Sequence, residues 1–457
     1  MDLLKKIKIE LWVLFLGGLL SLLLAIVTAV LVRQELVGSI KFGVVSKTAL
    51  FLAEIPVNLK RMNFKSIVLL KNSVYLITDE QRFPNVSGFQ GEPLAEETYL
   101  LLSKYDGDAE RPVVELVDLR SFEIKKTWRP DIDKINELVD TSQPEFGNLE
   151  IDSSTTRSRL FHPFLTEDGG LIFNHSPLVK IDKNSQLVWQ NQEDVFHHSI
   201  EQDHEGNFWV PSLLYPFQID KKYVGLEFGN YSDDAITKIS AEGEILFQKS
   251  VGKILLEDNN MLFAINGNRK FEIDPIHLND IEPVLSDGPH WKRGDLFLSL
   301  RHQSMIILYR PSTNKIIWKG VGHTGAQHDV DILDDHRISI FNNNAWATFD
   351  GEKVDGSNEV VIYDFKTDSY SKYLNESLKQ YDVRTLTEGR SQILDNNDLF
   401  IEEQNFGRIL YFNKDASLQW QYVNRADDEN AYLLNWSRIL FKPEDIKKVR
   451  KILELGN

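Results

Sequence analysis

Histidines recur at one phase of this chain. His162, His198 and His328 each stand at the start of an apolar stretch, seven or eight residues ahead of an acidic or glycine-containing turn. His277 opens a comparable stretch that carries an insertion before Gly294, and Arg301 and Arg390 fall near the same level. Neutral imidazole is a nucleophile and a proton shuttle near neutral pH. Protonated imidazole and guanidinium hold oxyanions such as sulfate or phosphate through charge-assisted hydrogen bonds. Imidazoles also bind metals, but zinc sites favour close local pairs such as H-x3-H. His197 and His198 lack that spacing, and a metal held between separate stretches stays open. Ordinary readings stand beside these. His175, His204, His290 and His336 fall at turns or strand ends, where surface residues sit. Pro163 follows His162 and breaks strand pairing, so a structural residue fits there as well as a site residue. Of His197 and His198, one is expected to face inward, because adjacent strand residues point oppositely. Function is favoured for His277 and His328, since converging polar groups are costly to bury unless used.

The elements that must position these residues form a repeat. A hairpin of two apolar strands around a polar turn, closing on an aromatic residue, recurs at Val113–Trp128, Leu178–Trp189, Ile236–Phe247, Ile306–Trp318, Val360–Tyr373 and Ile409–Trp420. The closing aromatics are 61, 58, 71, 55 and 47 residues apart. A second strand-turn-strand unit precedes most of them, at His162–His175, His198–Pro211, His328–Asn342 and Arg390–Glu403. Two hairpins make a four-stranded blade, and six blades make a β-propeller. The first strand of each blade lines the central channel, so residues in phase converge around the axis at one end. The fold class expected is all-β: a six-bladed propeller of four-stranded blades over residues 65–440, followed by a helix over 441–457. In that tail Ile446, Val449, Ile452 and Leu453 recur at helical intervals after Pro443.

Leu11 to Val32 contains no charged residue, and at about 1.5 Å per residue this run reaches roughly 33 Å, enough to cross a bilayer core. Lys5, Lys6 and Lys8 precede it, which puts residues 1–10 on the cytoplasmic side and the bulk of the chain outside. Residues 33–64 are expected to form a juxtamembrane helix and linker. A cleaved signal peptide, with Val27-Thr28-Ala29 as the cleavage site, is the alternative, and the apolar run exceeds the usual h-region. The chain has 457 residues, a net charge of -17 and no cysteine. An acidic surface of that size disfavours nucleic acid as a partner. The missing cysteines exclude thiolate catalysis and disulfides, and suit a bacterial envelope protein. The expected location is the bacterial inner membrane, single-pass, with the propeller in the periplasm or extracytoplasmic space.

The stretch Asp274 to Asn344 reads DPIHLNDIEPV, then GDLFLSLRHQSMIILYRPSTNKIIW, then QHDVDILDDHRISIFNNN. A His ahead of an Asn, a strand ending in Ser and Arg, a hairpin closing on Trp and a Gln-His opening the next unit together resemble the arylsulfotransferase family of bacterial envelope proteins. The resemblance implies a six-bladed propeller that moves a sulfuryl group from an aryl sulfate to a phenol, ping-pong, through a sulfated histidine, with no cofactor and no metal. Carried over by position, His277 and His328 bind sulfate or shuttle protons, Arg301 is an oxyanion partner, and Asn279 orients His277. His198, Arg390 and Asn342 complete the ligand-binding set. The resemblance also implies a nucleophilic histidine in a later blade, and an Asp-Asn-Gly stretch followed by arginine. This chain has no histidine after His336 and reads Phe341-Asn342-Asn343-Asn344. Either His328 or His277 takes the nucleophile's part, or the propeller binds an anionic ligand or glycan without turnover. A scaffold role beside an envelope partner protein is the third reading.

Overall fold

In the computed structural model the chain falls into two units, Met1–Ser73 and Val74–Asn457. The residues described are 10–36, 42–53, 55, 74, 76–78, 82–83, 85–142, 146, 154–224, 231–259, 261, 263–266, 272–348 and 351–454. The first unit holds one long helix, α1 (Leu11–Leu36), apolar on every side. It is long and apolar enough to cross a membrane. A shorter apolar helix runs over Gly43–Ala53. The basic segment with Lys5, Lys6 and Lys8, most of the linker expected over 33–64, and Leu455 onward lie outside the described residues.

The second unit is a six-bladed propeller. Five blades take their strands in chain order. The innermost strands are β1 (Phe161–Leu165), β2 (Glu201–Gln202), β3 (Leu278–Pro283), β4 (Val330–Ile332) and β5 (Arg390–Ile393). Each is followed by antiparallel partners running outward. The six aromatic-closing hairpins of the sequence are the outer pairs of the six blades, and the preceding units are inner pairs. The third blade's inner pair is split by residues 284–295, and the fourth blade carries an extra hairpin, Ala345–Thr348 with Gly351–Val354. Gly88–Gly91 adds an outer strand to the fifth blade.

The sixth blade joins the two ends of the propeller. Its outer strands are Tyr99–Asp106, Arg111–Asp118 and Glu123–Trp128, whereas its innermost strand is β6 (Arg438–Leu440). The three residues of β6 point three ways. Ile439 packs into the seam between the fifth and sixth blades with Leu100, Phe400 and Ile409. Leu440 packs into the seam between the sixth and first with Leu101, Leu165 and Leu171. Arg438 pairs with Glu201 on β2 at 3.1 Å. The tail helix α2 (Pro443–Glu454) lies over the same closing seam. It buries Val449 and Ile452 against that core, and Lys448 Nζ donates to the Leu165 carbonyl at 3.2 Å. Ring closure thus depends on a three-residue strand and one helix. Leu440→Ala is expected to lower the unfolding free energy by about 2–5 kcal/mol, since a buried leucine is lost from the seam that closes the ring. Urea denaturation of the full chain followed by tryptophan fluorescence checks this.

Candidate functional site

The six inner strands begin in the same unusual way. His162, His198, His277, Ala326, Glu388 and Trp436, one per blade, all have left-handed backbone, with φ of 44, 56, 54, 53, 62 and 61°. Non-glycine residues occupy this region at a cost of about 1–3 kcal/mol each and tend to cluster at functional sites. The strained entries are held by side chains reaching from one blade to the next. His162 Nδ1 accepts from the Ile200 N–H, Ser199 Oγ from Ile281, Asp280 Oδ2 from Val330 and Asp329 Oδ2 from Ser391. Glu402 accepts from Trp436 and Ser437, and His162 N–H donates to the Asn435 carbonyl.

Above this frame the imidazoles converge. His198 is central: its ring centroid lies 5.2 Å from His277, 6.1 Å from His328, 5.8 Å from Trp436 and 5.0 Å from His197. His198 Nδ1 and His197 Nδ1 are 2.8 Å apart, so one donates to the other. His198 Nε2 has no hydrogen-bond partner among the described residues. His277 Nδ1 is 2.6 Å from Asp274 Oδ2. His302 Nδ1 donates to the Asp274 carbonyl at 2.7 Å, and its Nε2 accepts from Arg301 Nη1 at 2.7 Å. Arg301 Nη2 continues to Glu352 on the extra hairpin of the fourth blade. A cavity of about 240 Å³ opens on His198 and His197, and is also lined by Arg157, Arg159, Phe161 and Glu388. Arg159 pairs with Glu388 through both nitrogens and lies 4.4 Å over the Phe161 ring.

Burial holds the His162, His198 and His328 rings well below the usual imidazole range. Nearby Arg438 and Arg390 add to this for His162, His197 for His198, and Arg301 for His328. Burial lowers His197 to about 3 and His175 to about 4. Burial thus favours the neutral ring at His162, His197, His198 and His328. Below them the channel is occupied by a buried ion network. Arg390 lies among Asp329, Asp331, Glu201 and Asp280, and their charges outweigh the burial that opposes its own. Burial pushes Asp280, Glu282 and Asp331 well above the usual carboxylate range.

Several expected roles change. His328 is 1 % exposed and both ring nitrogens are engaged. Nδ1 faces Asn343 Oδ1 at 2.7 Å, and Nε2 accepts from the Glu388 N–H at 2.9 Å. It is built into the frame and has no nitrogen left for attack. Asn279 does not orient His277; Asp274 does. A register shift lies between Leu278 and Asp280, and Asn279 Nδ2 donates to the Gln327 carbonyl. Arg390 is 2 % exposed and its Nη1 lies 2.8 Å from His162 Nε2, which commits it to the ion network and not to the cavity. Asn342 is buried and organises a turn, accepting from Gly325 and Asn344. Arg301 is buried and committed to His302 and Glu352. His197 and His198 do not alternate, because they lie in a non-strand segment between Val195–Phe196 and β2, and both rings reach the cavity. His175 is a buried residue, not a surface one, held by Ser158 and Asn136.

Sequence reasoning missed Asp274, His302, Arg159 and Trp436. The repeat gave no local signal for them: Asp274, His302 and Arg159 lie outside the in-phase positions, and Trp436 precedes a strand whose blade partners are at the other end of the propeller's sequence. Asp274, His277 and His302 bring ligand atoms within 4.8 Å of one another, as do Asp334, Asp335 and His336. At the first cluster the guanidinium of Arg301 already occupies His302 Nε2 and opposes a cation.

The profile of the family described as Arylsulfotransferase (ASST) matches residues 163–425. No curated protein matches the chain. Solved structures similar to it include a protein of unknown function from Bacteroides caccae, at 11% identity and TM-score 0.45, covering 75% of this chain and 99% of that one. Virginiamycin B lyase from Staphylococcus aureus is similar at 11% identity and TM-score 0.38, covering 74% of this chain and 89% of that one.

The lowered imidazoles make stability depend on pH. For His175, held at about 4 against 6.5, the unfolded chain takes up a proton that the native ring refuses. That contribution is whole above pH 6.5 and is lost as pH falls toward 4. Between pH 8 and pH 5 the wild type is expected to lose about 2 kcal/mol more than His175→Gln, measured by denaturant unfolding at each pH.

Proposed function

Because the chain belongs to the arylsulfotransferase family, we propose that it transfers sulfuryl groups between small aromatic molecules, with His198 as the nucleophile. The observation that carries this is His198 itself: it lines the cavity, its Nδ1 is hydrogen-bonded to His197, and its Nε2 has no hydrogen-bond partner among the described residues. Nucleophilic catalysis needs an imidazole with one nitrogen held and the other open, and cationic groups for the oxyanion. Arg157 and Arg159 line the same cavity, and Phe161 offers an aromatic face. In the first half-reaction His198 Nε2 attacks sulfur, the N–S bond forms and the S–O bond to the aryl group breaks. The leaving phenolate takes a proton from His277, whose Nδ1 is held by Asp274. In the second, an acceptor phenol gives its proton to His277, its oxygen attacks sulfur, and His198 returns free. A void of about 150 Å³ already takes up a benzene ring, so about 240 Å³ has room for one ring with its sulfate.

The helix α1 serves in this reading as a single-pass anchor with the propeller on the extracytoplasmic side, in keeping with the basic residues before it. Full-length chain is expected to stay in the membrane pellet after alkaline carbonate washing, and release into the supernatant argues for a cleaved signal. Turnover of a chromogenic aryl sulfate with a phenol acceptor tests the chemistry. His198→Ala is expected to lower kcat/KM by about 10³-fold or more, and His277→Ala by about 10²–10⁴-fold. No turnover by folded wild type with any aryl sulfate would remove the transferase reading and leave an anion-binding propeller.

A further inference from the structure

Behind His198 stands a buried pair that sulfuryl transfer does not touch. His197 Nε2 is buried, has no hydrogen-bond partner, and is 3.5 Å from Asp234 Oδ1. Its other nitrogen meets His198 Nδ1 at 2.8 Å. Asp234 is 1 % exposed. Its Oδ2 accepts from the His277 N–H at 3.0 Å and its Oδ1 from the Leu278 N–H at 3.2 Å. Burial and the charge of Asp274 push this carboxyl upward while those two N–H bonds act against it. Two backbone N–H donors favour the ionised carboxylate, and each oxygen keeps a second acceptor position, that of Oδ1 lying 3.5 Å from His197 Nε2.

We infer that Asp234, His197 and His198 form a relay in which His197 is a positioning residue that fixes the proton of His198 on Nδ1 and leaves the Nε2 lone pair facing the cavity. The order of protons follows from the two contacts. A proton on His197 Nε2 faces Asp234, so His197 Nδ1 carries a lone pair and accepts from His198 Nδ1–H. As the N–S bond forms at His198 Nε2, positive charge grows on that ring. The Nδ1 proton is held by His197, and the charge on His197 is held by Asp234. When the acceptor oxygen takes the sulfuryl group, the N–S electron pair returns to Nε2 and no proton has left the relay. The same Asp234 holds the backbone of His277, so one carboxylate fixes both the nucleophile's tautomer and the place of the acid–base residue. The kinetic part of this inference rests on the sulfuryl-transfer reading; the tautomer does not.

The test uses the full chain, labelled with 15N in its histidine rings and reconstituted in lipid bilayers, with His198 assigned by its absence in His198→Asn. Solid-state 15N spectra are expected to show His198 protonated on Nδ1 and bare on Nε2. A proton on Nε2 overturns the relay. Kinetically, His197→Asn keeps an acceptor oxygen and is expected to hold kcat within about tenfold, while His197→Phe removes it. The loss of kcat in His197→Phe is expected to be about 10²–10⁴-fold, with KM within about threefold, the scale known for a wrongly fixed imidazole tautomer. Equal losses in both variants, or a matching rise in KM, overturn the relay while leaving sulfuryl transfer standing. The predicted tautomer in a wild type that transfers no sulfuryl group supports the relay and removes the transferase reading. If His197→Phe does not fold, the spectra and His197→Asn still decide.

Discussion

The exposed edge of an inner strand is the problem this fold has to solve. Each of β1 to β6 is the last strand of its sheet on the axial side, so its outward N–H groups lack a ladder partner, and an unpaired buried N–H is costly. Here the partner is a side chain from the neighbouring blade: His162, Ser199, Asp280, Asp329 and Glu402 each accept from the next inner segment. These bonds tie six separately paired sheets into one ring. They also fix where the inner strands begin, and thereby hold six left-handed residues at one level around the axis.

Charge is arranged in layers along that axis. In the upper layer burial disfavours charge on His162, His197, His198 and His328. The layer beneath is ionic, with Arg390 and Arg438 set against Asp329 and Glu201. A buried charge left alone is expensive, whereas a network with several partners holds its charge and closes the channel. The cavity opens beside the histidine layer, on His197 and His198, and not on the ion network. His162 and His328 are tied into the frame by hydrogen bonds to Ile200 and Glu388, which is why they carry structure while His198 and His277 carry the chemistry proposed for them.

The closing blade makes the ring self-consistent. Its innermost strand is three residues long, yet Ile439 and Leu440 enter two different seams and Arg438 reaches a third element. Trp436, just ahead of it, stands beside His198, His162 and His328. One wall of the histidine cluster therefore exists only when the ends of the propeller have met, so the site and the closure form together.

The amino-acid sequence alone determined the blade count, the strand pairs and the apolar helix, because alternation, turn residues and a closing aromatic are local signals that need no knowledge of distant contacts. It also showed that His162, His198 and His277 stand at the starts of successive inner strands, and so that imidazoles gather at one end of the axis; His328, expected at the same phase, stands two residues past the matching position, which Ala326 holds. Phase did not say which nitrogen is free. His198 and His328 look alike in sequence, and they differ because Glu388 and Asn343 reach His328 from elsewhere, while among the described residues none hydrogen-bonds His198 Nε2. Only the tertiary structure could decide that Asp274 rather than Asn279 holds His277, since a register shift at the start of β3 turns Asn279 away. It alone placed His197 beside Asp234, and Trp436 at the axis, since those contacts cross blades and the chain ends. A side chain's chemistry here depends on hydrogen-bond partners far away along the chain, and these are set by ring closure, which no local pattern encodes.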